Sequence, residues 1–553
     1  MSLSISSRST RRGMTPFHTS IYDAKCMMTR REWLKIAGMS AGAAAFPQTG
    51  SARDDKAATA EQWDCFELTL HGPSDENPFV DITFGAQFRL GSRTVSVPGF
   101  YDGEGLYRVR FMPDQPGAWT WKTESNASAL NGHAGTLRVM SAAKDNHGPV
   151  SVAHRFHFAH ADGTPFFPFG TTCYSMGFMG EPWETQTLDA LRTAGFNNVR
   201  LCLMPKGQGS RPEPALPFVR TSADGIKPEE FDFTRFNPAY FRHFEQRILD
   251  LLRMGIEADV ILFHPYDGWG FRNMTAEADD RYLRYAVARL SAYRNVWWAI
   301  ANEYDLVKTK QMSDWDRYFR VVSEADPSNH LRSIHHSKVV YDHSKPWCTH
   351  ASLQEYDFER SEERRRAWGK PIVYDEIQYE GNIARRWGNL SAEEMARRFW
   401  LATVRGTYAS HGETFITPPN EPVWSDGGKL RGHSAPRIAF LRKLVESLPT
   451  TGLNEFVDAY YLSAGAPGEL YLYYFDTHAL AEYDFPLPAG VTFLATLIDP
   501  FAMTMQELPG TFTGKTKSSG NVTDENAGQS ASGGTNHIQL PGKPGMAIVF
   551  RKV

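Results

Sequence analysis

Near both ends of the chain apolar and polar residues alternate, and between these stretches short apolar runs trade places with helix-period segments over about 250 residues. Together they predict a (β/α)8 barrel between two β-sandwich domains. The aromatic content agrees: 35 Phe, 22 Tyr and 14 Trp make up 13% of 553 residues, too many for a disordered chain. Lys and Arg total 59 against 63 Asp and Glu, a formal charge of −4 with no long run of one sign. That balance argues against nucleic acid or an anionic membrane surface as the main partner.

Residues 1–52 read as a leader. Arg30-Arg31 precedes a weakly apolar stretch from Ile36 to Phe46, and Gly50-Ser51-Ala52 supplies small residues for cleavage before Arg53. The segment resembles a twin-arginine signal peptide, which implies a periplasmic or secreted protein. The apolar stretch is shorter than the ~20 residues that span a bilayer, so no stable membrane insertion is expected after cleavage. An amphipathic N-terminal helix is the alternative reading. The polar residues up to 27 lie upstream of the usual start of such a signal and fit an over-long start site. Cys26 falls in this leader; Cys65, Cys173, Cys202 and Cys348 are widely scattered without CxxC spacing, so neither an essential disulfide nor a thiol nucleophile is expected.

Residues 61–142 form the first sandwich. Phe66–Leu70, Ala86–Leu90, Leu106–Phe111 and Trp119–Thr123 alternate with period two, separated by Pro98-Gly99, Asp102-Gly103 and Pro116-Gly117 turns. Residues 153–450 form the barrel. Its strands are expected at Phe166–Gly170, Asn198–Leu203, Ile256–Phe263, Val296–Ala301, Leu331–Ile334, Cys348–Leu353, Pro371–Tyr374 and Gly406–Ser410, with helical patterns such as Pro238–Met254, Ala278–Tyr293, Asp314–Ala325 and Ala392–Arg405 between them. A doubly wound open sheet is the alternative, weakened by the missing GxGxxG turn after the first strand. Residues 454–553 return to alternation at Glu469–Phe475, Val491–Ile498 and Ala547–Phe550, a second sandwich interrupted by a Ser/Gly/Asn-rich stretch from Lys515 to Asn536.

Active sites of such barrels lie at the C-terminal strand ends. Asn302-Glu303 closes the fourth strand and Glu376 the seventh. Glycoside hydrolysis needs two carboxyls flanking one bond, one to protonate the leaving oxygen and one to attack or to activate water. A rim salt bridge is the alternative for either glutamate taken singly. Strand alternation sends neighbours to opposite faces, so if Glu376 lines the mouth Asp375 should point away into an ion pair; Asn302 and Glu303 can both line it only where regular strand geometry ends. Arg200 closes the second strand, to hold a nucleophile's charge or to form a structural ion pair. His264, Tyr266, Asp267 and Trp269 follow the third strand and suit a sugar platform or a packed loop. His335 and His336, His350, and His411 with Glu413 are further pocket candidates. No HExxH or clustered His spacing appears, so neither a metal nor another cofactor is expected.

Trp298-Ala299-Ile300-Ala301-Asn302-Glu303 with Glu376 resembles the Asn-Glu and late-Glu pattern of the large clan of retaining (β/α)8 glycoside hydrolases. His160-Ala161-Asp162-Gly163-Thr164-Pro165-Phe166-Phe167-Pro168-Phe169-Gly170-Thr171-Thr172, followed by Leu191–Arg200, resembles the apiosidase-like branch. The flanking β-domains resemble those that accompany such barrels in bacterial polysaccharide-degrading proteins. The resemblance implies Glu303 as acid/base, Glu376 as nucleophile, Asn302 as partner of the hydroxyl beside the anomeric carbon, and a carbohydrate substrate. An inactive carbohydrate receptor and a polysaccharide lyase with a His or Tyr base remain open. The sugar, exo or endo action and oligomeric state are not encoded in these motifs.

Overall fold

The computed structural model describes residues 58–207, 216–222, 228–456, 461–514 and 535–553; the expected leader lies outside them, as does most of the Ser/Gly/Asn-rich stretch. The middle of the chain is a parallel eight-stranded barrel. Its strands are β1 Phe169–Thr172, β2 Asn198–Cys202, β3 Glu257–Phe263, β4 Val296–Ala301, β5 Arg332–Ser333, β6 Ala351–Leu353, β7 Ile372–Tyr374 and β8 Tyr408–His411. They pair in the order β5-β4-β3-β2-β1-β8-β7-β6. At the seam between β5 and β6, the Thr349 N–H donates to the Arg332 carbonyl at 2.9 Å and the Thr349 hydroxyl accepts from the Arg332 N–H at 2.7 Å. These bonds bring the two end strands together and nearly close the sheet, which excludes the open doubly wound alternative.

Every residue of β3 and β4 is buried, as continuous apolar runs between a barrel interior and a helix layer require. The outer helices are α1 Trp183–Ala194, α2 Pro238–Arg253, α3 Ala276–Leu290, α4 Met312–Ala325, α5 Ser361–Trp368, α6 Ala392–Val404 and α7 Ala435–Glu446. Local chemistry sets their starts: the side chains of Asn237, Thr275 and Ser391 accept first-turn N–H groups of α2, α3 and α6. Among the described residues no helix separates β5 from β6. The barrel floor is closed by the hairpin of His157–His160 with Pro165–Phe166. Its Phe158 is fully buried against Trp297, His350 and Tyr408, with ring centroids 5.3 to 5.6 Å apart.

Both flanking domains are mostly strands, packed as sandwiches. In the first, strands from Ala58–Glu61 to Ala134–Met140 fold over a core of Phe66, Leu68, Phe88, Val109, Phe111, Trp119 and Leu137. In the last, Tyr473, Phe485, Phe493, Ile548 and Phe550 form the core. The first sandwich meets the barrel helices through buried charge. Arg289 of α3, fully buried, pairs with Asp102 at 2.8 Å and with Glu245 of α2, and Arg110 pairs with the same Glu245 at 2.9 Å. Against the cost of burial, Arg110 and Arg289 hold the Glu245 carboxyl below its ordinary range. The four cysteines among the described residues are free, and burial pushes the Cys65, Cys202 and Cys348 thiols up to about 12. No helix of the described residues is long and apolar enough to cross a membrane.

Candidate active site

Two local departures from strand geometry build the mouth. β4 stops at Ala301, and Glu303 takes a left-handed conformation at φ 46°, ψ 51°. For a residue with a side chain this costs of order 1 kcal/mol. At the end of β7 the N–H groups of Asp375 and Glu376 both donate to the Leu353 carbonyl, at 2.9 and 3.3 Å. Two residues opposite one is bulge geometry, and it cancels the alternation expected of adjacent residues. Asp375 therefore does not point away from the barrel. Its ion pair forms inside, with Oδ1 3.8 Å from Arg200 Nε, and it accepts the hydroxyls of Ser352 and Ser410.

Above that pair, the Tyr174 hydroxyl donates to Glu376 Oε1. It also lies 3.4 Å from Asn302 Oδ1 and 3.3 Å from the Tyr379 hydroxyl. Arg200, fully buried, donates from Nε to Asp259 at 3.1 Å and from Nη2 to Asn302 Oδ1 at 3.2 Å. Lys206 Nζ sits 4.6 Å over the Tyr174 ring and 3.1 Å from Asp426 Oδ1.

Burial, then the charge of Glu303, pushes the Glu376 carboxyl up to about 7, while Arg200, Tyr174 and Lys206 pull it back. Glu303 is also raised, by burial, with Gln354 and Ser337 opposing and the Asp305 charge adding to the rise. The charge of Glu303 is thus felt at Glu376 and favours its protonated form. A negative charge on Glu376 is favoured by Arg200, Tyr174 and Lys206, whereas Glu303 has Asp305 opposing its charge and Lys206 favouring it.

The remaining candidates separate. Tyr266 keeps its ring 40% exposed, 5.5 Å from Lys206 Nζ. His264 is locked, with Nε2 on the Met204 carbonyl at 3.0 Å and Nδ1 accepting the Tyr266 N–H, and burial lowers it to about 4. Asp267 is buried and caps the N–H groups of Trp269, Phe271 and Arg272. Trp269 is 3% exposed and packs along Phe271, so of the two aromatics expected to form a platform there only Tyr266 presents its ring to solvent. His335 is fully buried and kept neutral by burial and the Arg200 charge; His336 is buried beside it. His350 does not line the mouth: it lies just before β6 and packs on Phe158 and Trp297 at the floor. Nor does His411. Its neighbour Ser410 faces Asp375 inside the barrel, and the His411 ring turns outward to stack on Phe196 at 5.0 Å, with Nδ1 on the Thr171 hydroxyl.

One group among the described residues has the geometry to hold a cation: Glu380, His411 and Glu413, all buried, with ligand atoms within 4.8 Å of one another. Its carboxylates are already engaged. Glu380 accepts the N–H groups of His433 and Ser434, and Glu413 those of Arg431 and Gly432 at 2.6 and 2.8 Å. Against the cost of burial, hydrogen bonds from His411, Ser434 and His433 hold Glu380 at about 2, while burial lifts Glu413 to about 7. The group ties the 431–434 turn to the loops after β7 and β8.

Sequence reasoning missed Tyr174, Lys206, Gln354, Tyr379 and Asp426. Tyr174 and Lys206 lie two and four residues beyond β1 and β2, so the strand-end rule would have reached them had the search continued past each strand. Gln354 directly follows β6 and the same rule reaches it, whereas Tyr379 and Asp426 come from longer loops that only the barrel fold brings together.

A family model described as "Apiosidase-like, catalytic domain" matches residues 152–451. Two domain families of unknown function, DUF5060 and DUF5605, match residues 59–126 and 460–551. A candidate glycoside hydrolase from Bacteroides vulgatus is 37% identical and superposes with a TM-score of 0.82, over 90% of this chain and 100% of that one. A glycoside hydrolase family 5 structure from the same organism shares the fold at 14% identity and a TM-score of 0.57, over 73% and 94% of the two chains. No curated protein matches.

Proposed function

The chain belongs to the apiosidase-like family of glycoside hydrolases, and on that basis we propose that it cleaves poly- or oligosaccharides by double displacement, with Glu303 as acid/base and Glu376 as nucleophile. The observation that carries the reading is the pair itself, two carboxyls just beyond the ends of β4 and β7, with the charge of Glu303 raising the Glu376 carboxyl. In this mechanism Glu376 attacks the anomeric carbon while Glu303 protonates the departing oxygen; Glu303, now ionised, then draws a proton from the water that releases the sugar. Tyr174 and Arg200 hold the charge on Glu376 before attack. Asn302 has its carbonyl oxygen engaged by Arg200, which leaves its N–H2 for a sugar hydroxyl. Retention requires the carboxyls to stand roughly 5 to 5.5 Å apart.

Leaving-group dependence tests the roles. Glu303→Ala should lose activity on poor leaving groups far more than on activated aryl glycosides, and azide should partly restore the latter by attacking the glycosyl-enzyme without a general base. Glu376→Ala should lose both. Variants that respond alike, or an inverted first product by NMR, would overturn the assignment. A screen of plant and microbial polysaccharides identifies the sugar. We further propose twin-arginine export, on the strength of Arg30-Arg31 and the small-residue site. Replacing both arginines by lysine should strand precursor in the cytoplasm, and normal delivery would refute it.

A further inference from the structure

We propose that Trp387 is a sugar-stacking platform: its indole holds the apolar C–H face of a glycan ring next to the bond cleaved at Glu303 and Glu376. The inference rests on the glycoside hydrolase reading and extends it to a binding subsite. Single exposed apolar side chains are common, and exposure alone argues nothing. Trp387 differs in where it stands and how it is held.

Its side chain is 45% exposed, on a single turn spanning Arg386–Gly388 between β7 and α6. Its ring meets Tyr379 edge-on, with centroids 5.5 Å apart. The Tyr379 hydroxyl is 3.3 Å from that of Tyr174, which donates to Glu376. Two tyrosines therefore span the path from the exposed indole to the catalytic carboxylate.

The loop is fastened at several points. The Tyr379 N–H donates to the Trp387 carbonyl at 2.7 Å, and the Leu390 N–H to the Tyr379 carbonyl at 3.0 Å. Glu380-Gly381 pairs with Glu413-Thr414, and a side chain at Gly381 would place its Cβ 2.0 Å from the Thr414 carbonyl oxygen. The Glu380 carboxylate pins the base of the loop to Ser434. A tryptophan on a mobile loop could fold its ring inward. This one is held in solvent by its backbone, ready to bind at small entropic cost.

The test compares the wild type with Trp387→Ala and Trp387→Phe. Thermal melts establish that each variant is folded. On the polysaccharide or oligosaccharide found by screening, Trp387→Ala should raise KM at least ~10-fold with kcat little changed, and Trp387→Phe should recover part of the loss. In native gels containing xylan, glucomannan, arabinogalactan or rhamnogalacturonan, the wild type should be retarded by at least one polymer and Trp387→Ala should not. Retardation that about 0.5 M salt abolishes would belong to the neighbouring exposed Arg385 and Arg386, and would overturn stacking. Hydrolysis with equal KM and equal retardation for wild type and Trp387→Ala would overturn the platform and leave the glycosidase reading intact. Retardation lost in Trp387→Ala without hydrolysis by the wild type would uphold the platform and refute the activity. Neither hydrolysis nor retardation would refute both.

Discussion

Replacing Glu376 by glutamine should make the folded protein more stable at alkaline pH while abolishing turnover. The carboxyl is half-buried, and its pKa of about 7, raised by burial and by the Glu303 charge, stands above the ordinary value of 4.5. A group raised on folding contributes stability that is complete below about 4.5 and is lost as pH rises through about 7. That rise corresponds to about 3 kcal/mol at pH values above both. Glutamine has nearly the same shape, can accept the Tyr174 hydroxyl through its amide oxygen, and cannot ionise. Wild type and variant should therefore melt together near pH 4.5. At about pH 8.5 the variant should melt higher by roughly 3 °C. Thermal melts followed by circular dichroism across this range measure the gap. An equal gap at both ends would mean that packing rather than ionisation was altered, and no gap at the alkaline end would refute the placement of a destabilising charge at Glu376.

Tyr174→Phe removes the hydroxyl that favours the charged form of Glu376, so kcat/KM should fall roughly 10- to 100-fold and the acid limb of its pH profile should move to higher pH. Gly412→Ala places a Cβ 2.0 Å from the Tyr379 ring; a cost of roughly 1–3 kcal/mol in a melt, with a loss of activity, is expected as that ring is displaced. Arg289→Met leaves Glu245 and Asp102 short of a buried partner and should cost roughly 3–5 kcal/mol by urea denaturation. Adding Glu245→Gln to that variant should recover part of the loss.

The strand ends that matter most were legible because a barrel strand buried on both faces reads as an unbroken apolar run. Val296–Ala301 and Ile372–Tyr374 each stop at the polar residue that enters the mouth. Period two could not foresee the bulge that turns Asp375 inward, since a bulge leaves no mark in alternation over so short a strand. His350 was misplaced for a related reason. A strand drawn from Cys348 to Leu353 put it mid-strand, whereas β6 begins at Ala351 and leaves the histidine on the floor. Asp267 could have been read as a cap, because an Asp followed by a glycine and a short turn often accepts backbone N–H groups. The Tyr174–Tyr379 contact joins residues 205 apart, and nothing local encodes it.

The charges where the first sandwich meets the barrel bear on how the protein can be divided. Family boundaries at residues 126 and 152 invite cutting the chain between them to obtain a minimal catalyst. Such a cut removes Asp102 and Arg110 and strips partners from Glu245 and Arg289, two groups on α2 and α3 that the whole protein keeps out of water. It would also uncover the aromatic rings around Tyr285, which packs edge-on against Phe100 of the sandwich. The boundary between these two parts is one of ancestry rather than of folding. A usable fragment would begin no later than the first strand at Ala58, or would carry apolar replacements at positions 245 and 289.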